Sequence, residues 1–132
     1  MNLNESLNNV LDYKILTKNG WGDSTYEFSL KDIGLDLRVF VKINYVREDG
    51  VLVAFEAIGE DNELSNQKMA SFTIFGTITE IVKTFVEEND ITYVEAQADF
   101  KKKAFIYEKL FKRFGNDWSV ERIDNIVYAK ES

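Results

Sequence analysis

Leu35-Asp36-Leu37-Arg38-Val39-Phe40-Val41-Lys42-Ile43-Asn44-Tyr45-Val46-Arg47-Glu48-Asp49-Gly50-Val51-Leu52-Val53-Ala54-Phe55-Glu56-Ala57-Ile58 is the stretch whose reading decides the fold class. Leu35, Leu37, Val39, Val41, Ile43 and Tyr45 alternate with mostly polar partners. Period two is the repeat of a β-strand, so this is a long strand with one buried face. Glu48-Asp49-Gly50 turns the chain, and residues 51–58 are apolar on both faces except for Glu56. Strand, Asp-Gly turn and strand together read as a hairpin.

Upstream, Tyr26, Phe28 and Leu30 share one face of a shorter strand, and Tyr13 to Thr17 reads as extended. Asn19-Gly20-Trp21-Gly22-Asp23 is the clearest loop in the chain. Before it, Leu3, Leu7, Val10 and Leu11 fall at i, i+4, i+7 and i+8, the stripe of an amphipathic helix that Asn2 and Glu5 could cap.

Downstream, residues 59–68 are polar and read as a loop. Phe72 to Phe75 reads as a short strand or a tight lead into a helix. Thr77-Ile78-Thr79-Glu80 has the spacing of a capping box. Ile78, Ile81, Val82, Phe85 and Val86 then form a helical stripe that ends at residues 87–90. Ile91 to Ala96 reads as a strand. Ala104 to Phe114 reads as a second helix, with Tyr107, Leu110, Phe111 and Phe114 on one face and Gly115 as its stop. Residues 118–120 and 123–128 read as a final extended pair or one bent strand. The expectation is one α+β domain over residues 1–132, a mixed, largely antiparallel twisted sheet flanked by helices. Leu37, Val39, Val41, Ile81, Phe85, Leu110 and Phe114 are its expected core.

The 132 residues contain no Cys, no His and no Pro. Disulfides, thiolate catalysis, Ser-His-Asp triads and His- or Cys-ligated metals are therefore excluded. Asp61, Glu63, Glu60 and Asn62 cluster without the ordered spacing or turn Gly of a Ca²⁺ loop, so no metal site is expected. The net charge of −7 disfavours binding to nucleic acid, and it is too small and too mixed with Lys for a nucleic-acid mimic. No apolar run is long enough to span a membrane, and Met1-Asn2-Leu3-Asn4-Glu5 does not open a signal peptide. These features lead us to expect an intracellular protein, or one assembled inside a cell.

Residues 72–114 resemble the C-terminal half of GNAT-type N-acetyltransferases. The resemblance lies in the spacing of helix, strand and helix, and in Lys103-Ala104-Phe105-Ile106-Tyr107-Glu108-Lys109-Leu110-Phe111, similar to the family's last helix. Phe75-Gly76-Thr77-Ile78 is similar to the corresponding lead into the long helix in degenerate GNAT-like proteins of tailed bacteriophages. The resemblance implies acetyl-coenzyme A as cofactor, Tyr107 as the acid for the leaving thiolate and Glu56 as general base. It implies that Gly76 and Thr77 sit where the coenzyme phosphates bind. The chain departs from that pattern in one respect. Active members carry Arg/Gln-x-x-Gly-x-Gly/Ala before the long helix, and Ser71-Phe72-Thr73-Ile74-Phe75-Gly76 keeps only its last glycine. The reading that follows is a non-catalytic domain without cofactor, acting through protein contacts or self-assembly in the host cytoplasm or a virion. A divergent acyltransferase is the alternative.

Plainer readings stand beside each candidate. Tyr107 is also explained as a core aromatic on a helical stripe. Glu56 is also explained on an exposed face or in a cross-strand ion pair. Trp21, in its Gly-rich loop, is of the type that anchors partners, and Lys101, Lys102 and Lys103 precede a helix, where the dipole disfavours cations and an anionic partner would relieve them. The alternatives are a Trp folded onto the core and a solvated lysine loop.

Overall fold

The structure, a computed structural model, describes residues 11–18, 22–31, 34–59, 68–98 and 101–132. Among these residues seven strands form one sheet: β1 (Lys14–Lys18), β2 (Ser24–Ser29), β3 (Arg38–Arg47), β4 (Gly50–Ile58), β5 (Tyr93–Gln97), β6 (Trp118–Ile123) and β7 (Ile126–Glu131). Helix α1 (Lys68–Glu88) joins β4 to β5. Helix α2 (Lys101–Phe111), extended by a 3₁₀ turn over Lys112–Phe114, follows β5. The spatial order is β1-β2-β3-β4-β5-β7-β6. Every neighbouring pair is antiparallel except β4 and β5, which run parallel across the α1 crossover.

The register explains which side chains are buried. Val41 lies opposite Tyr26 on one side and Phe55 on the other, and Val39 opposite Phe28 and Ala57. Partners in register share a face, so Tyr26, Phe28, Val39, Val41, Ile43, Val51, Val53, Val94, Ala96, Val127 and Ala129 line one side and are buried. Ile78, Ile81, Val82 and Phe85 of α1 and Ala104, Tyr107, Leu110 and Phe111 of α2 join them in one apolar cluster. Both helices thus cover the same face. On the other, Lys42, Ala54, Glu56, Gln97 and Lys130 are exposed.

Three expectations are corrected. Phe72–Phe75 is neither a strand nor a lead-in, because α1 begins at Lys68 and runs straight through it. Its β-branched run imitates a strand, but Ile74, Ile78, Ile81 and Val82 keep a helical stripe against the sheet. Thr77 is accordingly not a cap. It is fully buried in the helix interior, and its hydroxyl accepts the N–H of Leu11 at 3.0 Å. Thr79 donates to the Phe75 carbonyl at 2.7 Å, the back-bond by which a helical Thr satisfies itself. Phe114 is only half-buried. It lies in the 3₁₀ turn, which rotates it off the α2 stripe and leaves it stacked on Phe111 at 5.5 Å and edge-on to Trp118 at 5.1 Å.

Leu37, Val39, Val41, Ile81, Phe85 and Leu110 are buried as expected. The final segment is a pair of strands that turns at Asp124, with φ 54°. The helix expected from Leu3, Leu7, Val10 and Leu11 lies, up to residue 10, outside the described residues.

Candidate functional site

β4 is nine residues long and β5 five, and their pairing is shorter than either. Only Gly50, Val51 and Leu52 have partners, in Tyr93, Val94 and Glu95. Beyond Leu52 the strands part, while β4 stays paired to β3 as far as Ile58 and β5 stays paired to β7 as far as Gln97. The opening is a cavity of about 280 Å³, small for a drug-sized ligand. Phe55, Tyr107 and Lys103 line it on the helix side. Phe40, Lys42, Ala54, Glu56 and Gln97 line it on the exposed side.

A strand that loses its neighbour leaves backbone groups to satisfy. The chain supplies one partner itself: the Phe55 N–H donates to Tyr107 Oη at 3.3 Å. The Tyr107 ring is fully buried, edge-on to Phe55 at 5.2 Å and tilted against Phe111 at 6.2 Å. The Lys103 ammonium lies 5.2 Å from the centre of the Phe55 ring, a cation–π contact across the mouth. Tyr107 is thus the core aromatic that its helical stripe allowed, and it also forms a wall of the cavity.

The paired end of β4 is fastened differently. The Asp49 carbonyl accepts the N–H groups of Thr92 at 2.8 Å and Tyr93 at 3.2 Å. Its carboxylate accepts from Thr92 Oγ1 and, at 2.9 Å, from Arg47 Nε. The Thr92 hydrogen bond first, then Arg47, holds that carboxyl below the usual range. The Arg47 guanidinium lies 4.5 Å from the Tyr93 ring centre. Gly50 fits between them: a Cβ there would meet Arg47 at 3.0 Å and the Tyr93 ring at 3.2 Å. Burial, and then the hydrogen bond to Glu95, push the Tyr93 phenol up to about 12.

The cavity brings Glu56, Tyr107 and Lys103 together. Glu56 is exposed and stands opposite Phe40, not opposite a cation. Gly76 and Thr77 are buried inside α1, well past its start at Lys68, so their expected place at a helix N-terminus is overturned. The three lysines do not precede α2 but form its first turn. The side chains of Lys101 and Lys102, and all of Trp21, lie outside what is described. Phe40, Lys42, Ala54, Phe55 and Gln97 were not singled out from the sequence. The available signal was the length mismatch between two strands joined by a helical crossover. Among the described residues no group of three or more Asp or Glu could hold a metal ion, and no helix is long and apolar enough to cross a membrane.

No protein-family model matches the chain, and no curated protein matches it in sequence. Among solved structures, an acetyltransferase of the GNAT family from Staphylococcus aureus MU50 is similar with a TM-score of 0.46 and 9% identity, over 84% of this chain and 68% of that one.

Proposed function

We propose that this chain is a non-catalytic domain of acetyltransferase-like architecture that works through protein contacts. One observation carries the reading: in the gap between the parting strands, the Phe55 N–H is taken by the chain's own Tyr107 hydroxyl. A ligand laid along β4 would have to displace that bond. Charge supports the same reading. Between Ile58 and Lys68 the sequence holds Glu60, Asp61 and Glu63 and no Arg, so this segment brings no guanidinium to a pyrophosphate. The resemblance to phage GNAT-like proteins suggests an accessory or structural role. Trp21 and Lys101–Lys103 are its proposed contacts.

A second reading has its own observation, since Glu56 and Tyr107 line one cavity. In a divergent N-acyltransferase, an amine would attack the thioester of acetyl-coenzyme A. As the C–N bond formed and the C–S bond broke, Glu56 would take the amine proton and Tyr107 would give one to the thiolate. Calorimetric titration with acetyl-coenzyme A separates the two. The expected result is no binding tighter than about millimolar. A micromolar dissociation constant overturns the non-catalytic reading.

A further inference from the structure

Among the described residues the sheet ends in two edges of different build. β1 carries a bulge between Ile15 and Thr17 and a lysine at each end, Lys14 and Lys18. Bulges and edge lysines are devices that discourage a further strand. β6 has neither. All its residues stand in unbroken register opposite β7, and none is a lysine.

The outward backbone groups of β6 follow from β7. Glu131, opposite Trp118, donates its N–H to the Thr92 carbonyl at 3.0 Å, away from β6. Successive residues of a strand turn their backbone groups to alternate sides. Ser119, Glu121 and Ile123 therefore bond β7, and Trp118, Val120 and Arg122 face outward. The Trp118 N–H is taken by the Gly115 carbonyl at 3.2 Å. The outward positions are symmetric about Val120.

We propose that this edge is a homodimer interface, in which a second copy of the chain pairs its own β6 antiparallel in a register centred on Val120. Each Val120 N–H donates to the Val120 carbonyl of the other copy, and each Arg122 N–H donates to the other Trp118 carbonyl. Antiparallel partners share a face, so Arg122 stands opposite Trp118 and Ser119 opposite Glu121, with no like charges opposed. Charge selects this register. Centring the pair on Glu121 would set that carboxylate against itself, and centring it on Ser119 would leave Arg122 facing Asn116, before the strand begins. The inference rests on the reading that the chain works through protein contacts and names a second copy as the partner.

The test is sedimentation equilibrium of the full chain, with far-UV circular dichroism as the check on folding. The parent should dimerise. Ser119→Glu sets two carboxylates against Glu121 across the axis, while Lys130, opposite on β7, accommodates the new charge within the monomer. It should raise the dimer dissociation constant about tenfold, and adding Glu121→Lys should restore it. Val120→Pro removes an outward N–H and none of the β7 ladder, and should also weaken the dimer. A monomeric parent, or a dimer indifferent to Ser119→Glu, overturns the proposal, as does a dimer that Ile15→Lys abolishes, which would place the contact on β1. Tight acetyl-coenzyme A binding by a chain that still dimerises would overturn the functional reading and leave the interface standing.

Discussion

At its start β4 is locked to β5, and at its end it faces a cavity. Gly50, Val51 and Leu52 share a ladder with Tyr93, Val94 and Glu95, fastened by Asp49, Thr92 and Arg47. From Val53 to Ile58 no residue of β4 has a partner on β5, and Tyr107 takes up the Phe55 N–H. One strand is thus satisfied by backbone at one end and by a side chain at the other. The contrast teaches that where parallel strands part, a side chain of the same protein can take up a backbone group the parting leaves over. Whether the parting is open depends on what the chain puts into it.

The largest expected effect removes the floor common to both ends. Phe85 packs 5.8 Å from Tyr45 beneath the paired end, and Leu110 is buried on the helix that carries Tyr107. Alanine at either should cost about 2–5 kcal/mol in urea unfolding. An unmoved midpoint at either position would show that this end does not rest on the common core.

Next comes a direct contrast of the two ends. Gly50→Val forces a side chain between Arg47 and Tyr93 and should cost about 1–3 kcal/mol. Ala54→Val, on the exposed side of the cavity, should stay within about 0.5 kcal/mol. Equal costs would mean that the paired end is no tighter than the parted one.

Tyr107→Phe keeps the ring and removes the acceptor of the Phe55 N–H. We expect a loss of about 1 kcal/mol. Amide hydrogen exchange should quicken at Phe55 and stay unchanged at Leu52. Faster exchange at both positions would show that the two ends open as one unit.

The smallest effect concerns pH at the paired end. The Tyr93 phenol is raised from 10.0 to about 12, by burial first. A folded value above the unfolded one means the neutral phenol stabilises the fold fully below about pH 10 and loses that contribution as pH rises toward 12. Tyr93→Phe should therefore flatten the decline of stability across that window, measured by urea midpoints. An identical decline in both proteins would remove Tyr93 from the account.

The sequence by itself determined the first four strands, the hairpin at Asp49-Gly50, the inward set Leu37, Val39, Val41 and Ile43, and the helical stripe through Ile81 and Phe85. Each is a short-range periodicity, and side-chain direction in strands and helices obeys period directly. Where local chemistry offered two answers, tertiary structure decided. The pattern at Thr77 to Glu80 has cap spacing, yet Leu11, distant in sequence, gives the buried Thr77 a backbone N–H partner inside α1. Phe72 to Phe75 is β-branched and aromatic, yet it lies inside α1, whose stripe from Ile74 through Ile78, Ile81 and Val82 is buried against the sheet. The cavity was the least legible feature. It arises because β4 and β5 part after Leu52 and because residues as far apart as Phe40 and Tyr107 then share one opening. No local pattern encodes where two strands separate, because the length over which they pair is set by what each packs against on its other side.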